Sequence, residues 1–125
     1  MTVDYARRFF RVSVLYALLG MAGGIYMAAS HDHTLHPAHA HLLLLGWVGM
    51  TIFGVFHKLY PAAGAAKLAA WQFWFANAGV VLMIPGIAII VSGRPDIGDP
   101  FAAVGSLLTI AAMAKFAGMV FRATR

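Results

Sequence analysis

Cysteine is absent from the 125 residues, which excludes a disulfide framework and thiolate ligation and leaves nitrogen or oxygen to hold any metal. Charge is scarce: 10% of residues are Asp, Glu, Lys or Arg, and only four of these are acidic. A buried imidazole or cation therefore has few carboxylates to meet. No internal repeat, low-complexity tail or composition break marks a second domain, so residues 1–125 are read as one compact unit. What fills the chain instead is apolar residues, at 62%, with a mean hydropathy of +0.80. Runs of about 20 apolar residues span a bilayer. They predict an all-α integral membrane four-helix bundle with spans over 8–29, 37–60, 68–92 and 100–121 and short loops between them.

The first span opens on Arg7-Arg8-Phe9-Phe10-Arg11. Its apolar stretch is too long for a signal peptide and no Ala-rich cleavage site follows, so it is expected to be a retained helix. In a four-span arrangement Arg7, Arg8, Arg11, Lys58, Lys67, Lys115, Arg122 and Arg125 fall on one face, and that face is expected to be cytoplasmic. Asp32, Asp96, Asp99 and the histidines from His31 to His41 fall on the other. Both termini are thus expected in the cytoplasm and the His-rich loop outside, in the periplasm if the membrane is a bacterial inner membrane. The net charge of +5 lies where anionic head groups are found, so the partner it implies is the lipid bilayer and not nucleic acid.

Gly20, Gly23 and Gly24 in the first span, Gly46, Gly49 and Gly54 in the second, Gly79 and Gly86 in the third, and Gly105 and Gly118 in the fourth let backbones approach in lipid, or leave room for a planar cofactor. Pro85 is expected to kink the third span. Asn77, near mid-depth, is expected to form an interhelical hydrogen bond. Trp71 and Trp74 suit an interfacial belt, and Lys115 suits a snorkelling cation.

Ionisable groups inside a membrane segment are read as functional. His39 and His41 stand at the mouth of the second span, two residues and about 200° apart on a helix, so they serve different sites or neighbours. Pro37 fits the first turn. His36 lies three residues before His39, while His31 and His33 belong to the preceding loop, where a histidine cluster can bind copper or zinc or simply solubilise the loop. His57, about 24 Å along the helix from His41, is expected at the opposite interface beside Lys58 and Tyr60.

Ala38-His39-Ala40-His41, then Gly46-Trp47-x-Gly49-Met50-x-Ile52-Phe53-Gly54 and Tyr60-Pro61, resembles the tenth helix of the catalytic subunit of haem-copper oxidases, particularly C-family oxygen reductases and nitric oxide reductases. The resemblance covers about 25 residues. It implies that His39 takes the role of high-spin haem ligand and His41 that of low-spin haem ligand, on opposite faces of one helix. The family's twelve helices form three groups of four, with the metal-binding histidines on the second helix of each group. This chain resembles one such group, which implies a homotrimer reproducing the twelve-helix ring. Within it a haem would take His41 from one subunit and His39 or His36 from its neighbour.

The function expected from these readings is a membrane b-type haem protein that transfers electrons to or from a redox partner, or binds O₂ or NO. Trp47, Phe53, Trp71, Phe73 and Trp74 are candidates to pack on the porphyrin, with Gly46 and Gly49 beside them. Oxygen reduction by one four-helix chain is not expected. The alternatives are a copper- or zinc-handling protein using His31, His33, His36, His39 and His41, and a non-catalytic subunit or assembly factor of a respiratory complex.

Overall fold

The computed structural model describes residues 3–63 and 66–125. Four helices make up almost all of it: α1 (Tyr5–Ser30), α2 (His36–Leu59), α3 (Ala66–Val91) and α4 (Pro95–Ala123), each long and apolar enough to cross a membrane. Asp4 starts α1 by accepting a hydrogen bond from Arg7 N at 2.9 Å, which satisfies one of the amides a helix start leaves free. α1 stops at His31, whose φ of 56° is left-handed. Gly93, at φ 101°, turns the chain from α3 into α4. There α4 begins at Pro95, earlier than hydropathy alone predicts, because a proline at the first position and Asp96 in the first turn both suit a helix start. Asp96 and Asp99 therefore belong to the helix and not to the loop. α3 stays helical through Pro85.

α3 and α4 form the tightest pair, and glycine is the reason. A Cβ on Gly86 would sit 2.6 Å from Ala102 N, one on Gly98 would sit 2.5 Å from Gly86 O, and one on Gly105 would sit 2.6 Å from Met83 N. The two backbones touch, as small residues permit in lipid. The α1–α2 seam is built differently, since Gly20 receives Leu43, Gly46 receives Tyr16 and Gly54 receives Phe10. Between the pairs lies a core of Phe9, Met50, Phe53, Phe73, Ala76, Val80 and Ala112. Phe9 meets the edges of Phe53 and Phe73 at 5.5 and 5.1 Å between ring centres. Leu15, Leu18, Ile25, Leu107 and Ile110 are exposed on the outside, as a lipid-facing surface requires.

Asn77 makes the interhelical bond expected of it. Tyr16 Oη donates to Asn77 Oδ1 at 2.7 Å, and Asn77 Nδ2 donates to Phe73 O at 2.8 Å. Tyr16→Phe keeps the ring against Gly46 and deletes one hydrogen bond, so a loss of about 0.6 kcal/mol, and no more than about 1.7, is expected in detergent unfolding titrations. A larger loss would mean that the pair holds α1 to α3 more strongly than membrane hydrogen bonds generally do.

Candidate functional site

The second helix is not uniform. It runs as α-helix over His36–His41, widens to π-helix over Leu42–Gly49 and returns to α-helix over Met50–Leu59. π-helix is rare, and its single-turn bulges are frequent at functional sites. Gly46 and Gly49 lie inside this segment, and it directly follows the two histidines.

Pro37 opens the helix, and His39 N bonds Leu35 O at 2.9 Å. One turn on, His41 Nδ1 lies 2.8 Å from Pro37 O. A carbonyl oxygen only accepts, so Nδ1 carries the proton and the lone pair of the neutral ring sits on Nε2. Fixing the tautomer through a backbone carbonyl is how proteins prepare an imidazole to bind a metal. The ring is exposed on the outside of the bundle.

His39 is half-buried and turns to α1. A Cβ on Gly24 would come within 3.1 Å of its Cε1, and one on Gly23 within 3.9 Å of its Nδ1. These glycines make room for a ring, a more specific task than helix contact in general. His39 Nδ1 is buried without a hydrogen-bond partner, an arrangement that ordinarily calls for a missing ligand, ion or water. The two imidazoles thus face different surroundings, as their spacing predicts.

His31, His33 and His36 are exposed. Asp32 accepts from Thr34 N at 3.0 Å and Thr34 Oγ1 at 2.6 Å, which holds its carboxyl below the usual range. Among the described residues no three His, Cys, Asp or Glu side chains are grouped to hold a metal ion.

The aromatic candidates divide. Trp47, Trp71 and Trp74 are exposed, whereas Phe53 and Phe73 are buried. The last two pack the protein core, so their proposed place against a porphyrin is corrected. Both rings meet Phe9 of α1, and Phe53 also meets Phe116 of α4. Gly46 is buried against Tyr16, while Gly49 is half-buried beside an apolar cavity of about 50 Å³. That cavity is well below the roughly 300–1,000 Å³ of small-molecule sites, so it does not itself hold a planar cofactor. Lys115 Nζ sits 5.0 Å from the Trp71 ring centre and 5.6 Å from that of Phe75, a cation–π arrangement compatible with the interface.

His57 lies at the opposite end of the second helix from His41, as expected, but not on its surface. It is buried, stacks on Phe9 at 5.5 Å and 9°, and pairs its Nε2 with Gln72 Oε1 at 2.7 Å. The cause is Gln72, a fully buried amide on the facing helix, which the sequence does not mark as a partner.

The family model described as "Protein of unknown function (DUF2871)" matches residues 6–122. Over 70 residues, 51% of this chain and 12% of the relative, the sequence is 43% identical to "Cytochrome c oxidase subunit 1 homolog, bacteroid" of Bradyrhizobium diazoefficiens. Over 59 residues, 42% of this chain and 11% of the relative, it is 40% identical to "Cytochrome c oxidase subunit 1" of Rhodobacter capsulatus. The chain is thus related to a segment of these much longer subunits. No solved structure matches.

Proposed function

The chain belongs to the DUF2871 family, which spans nearly all of it, and we propose that it is a membrane b-type haem protein with His41 and His39 as iron ligands. The observation that carries this is the Nδ1–H···O bond from His41 to Pro37. It leaves an imidazole on the exposed side of a membrane helix with Nε2 free for a metal. Kinship with part of cytochrome c oxidase subunit 1 supports iron in haem over a bare ion, and the C-family and nitric oxide reductase resemblance narrows that kinship. When bound, the haem would supply one-electron redox chemistry or a coordination position for O₂ or NO.

What the chain contributes is the orientation of the ligand. His41 faces away from its own bundle, so a second histidine and a cover must come from outside the chain. A homotrimer in which a neighbour presents His39 or His36 supplies both with closed symmetry. The cation-rich end is proposed to face the cytoplasm and the histidines the external or periplasmic side.

The test is a visible spectrum of the detergent-purified protein, oxidised and then reduced with dithionite. A Soret band with sharp reduced α and β bands is the expected result. A colourless protein, obtained at full yield from haem-replete cells, refutes the proposal. A second reading, as a non-catalytic subunit or assembly factor of a respiratory complex, draws on the match to only a small part of each oxidase subunit. It predicts copurification with larger subunits and no Soret band.

A further inference from the structure

At the opposite end from His39 and His41, where α1 and α3 begin and α2 ends, an open cavity of about 530 Å³ reaches His57. Asp4, Tyr5, His57, Lys58, Ala66 and Ala69 help to line it. Its volume falls in the range of small-molecule sites, and polar and apolar groups share its lining. We propose that this cavity binds the head group of a lipid-soluble hydroquinone, with His57 Nδ1 accepting a hydrogen bond from one ring hydroxyl and Lys58 donating to the other oxygen.

The chemistry of His57 selects the ligand. The residue is 8% exposed, its ring lies flat on Phe9, and Phe56 meets it edge-on at 5.7 Å. Gln72 Oε1 takes its Nε2–H at 2.7 Å, so in the neutral ring Nδ1 is the lone-pair nitrogen. That atom wants a donor, which a hydroquinone has and a quinone lacks. Gln72 is itself fully buried, so the imidazole is held by a partner that solvent does not reach. Lys58 is exposed and has the reach to find a second oxygen on a ring. Tyr5 and the alanines offer flat apolar walls, and the position at the membrane end lets an isoprenoid or alkyl tail remain in lipid. A phosphate anion fits less well, because Asp4 places a carboxylate at the same mouth and the imidazole presents no proton to it. The site stands apart from the haem proposal, since none of its groups belongs to the His39–His41 region.

Equilibrium dialysis of a decyl-tailed hydroquinone, kept reduced under anaerobic conditions, against the full chain in lipid nanodiscs tests the proposal. Empty discs correct for partition into lipid. Saturable binding of one hydroquinone per chain is expected, with the oxidised quinone at least about tenfold weaker, the scale of one lost buried hydrogen bond. His57→Phe retains the stacked ring and removes the acceptor, and Ala66→Phe narrows the cavity from an exposed position; each is expected to weaken binding about tenfold. Circular dichroism reports whether each variant keeps its helices. Binding unchanged in a folded His57→Phe or Ala66→Phe protein overturns the proposal. So does quinone binding as tightly as hydroquinone, competition by inorganic phosphate, or uptake no greater than in empty discs. Protein from haem-deficient cells should bind equally well, so loss of the Soret band and loss of this site are separate outcomes.

Discussion

His41→Ala is expected to strip the purified protein of its haem while leaving the bundle folded. The side chain is exposed, and its one hydrogen bond is to the carbonyl a turn earlier on its own helix. Exposed substitutions of this kind change stability by about 0.5 kcal/mol or less. The effect on the cofactor should be far larger. Removing a group that merely orients a metal ligand weakens binding roughly 10–100-fold, so removing the ligand should weaken it by at least about 100-fold. The Soret absorbance per protein should fall below about a tenth of wild type, with helical content and oligomeric size reported alongside. Imidazole added to His41→Gly should restore part of it, because a free ring can occupy the space. His39→Ala should also lose the bis-histidine spectrum, but it opens a void beside Gly23 and Gly24 and so has a structural component. Full retention of the reduced α and β bands in His41→Ala would remove this residue from the iron, and retention in both variants would remove both histidines from it.

Gly105→Leu should be among the most damaging substitutions in the chain, whether or not a cofactor is present. Its Cβ would lie 2.6 Å from Met83 N and 2.8 Å from Gly79 O. Main-chain atoms of a packed helix cannot swing aside as a flexible side chain can. α3 and α4 would have to separate along their length and give up the contacts made at Gly79, Gly86 and Gly98. Overpacking in a core costs about 1–3 kcal/mol when side chains can adjust, and more than about 3 kcal/mol is expected where only backbone can yield. Gly118→Leu is the control on the same helix, since nothing lies within 4 Å of its Cβ position. In detergent unfolding titrations the first should lose much of its stability and the second should stay within about 0.5 kcal/mol. Equal stability in the two would mean that the glycine seam does not hold the hairpin together. A smaller oligomer from a folded Gly118→Leu protein would instead place that exposed face at a contact between copies.

The class of protein and the number of helices were legible in the residues because they depend on local quantities. About 20 apolar residues in a row must cross a bilayer as a helix, since lipid offers no partner for backbone amides. The opposition of His39 and His41 was legible for the same reason, because residues two positions apart on a helix are separated by about 200°. Proline at the first turn and glycine where backbones meet also carry their meaning within a few residues of sequence.

Contacts between helices were not legible in this way. Tyr16 and Asn77 are 61 positions apart, and His57 and Gln72 are 15 apart across a loop. Which polar groups meet depends on how the helices rotate against one another, and no local pattern encodes that rotation. Thus His57 reads from the sequence as an interfacial residue and is buried in the fold, while Phe53 and Phe73 read as candidate porphyrin contacts and pack the core. The π segment over Leu42–Gly49 belongs to the same class, since its apolar residues suit an ordinary helix equally well. Length and hydrophobicity determined that four helices cross the membrane, while packing alone decided that Gly23 and Gly24 face His39, that Gly46 faces Tyr16, and that His41 is left outside its own bundle.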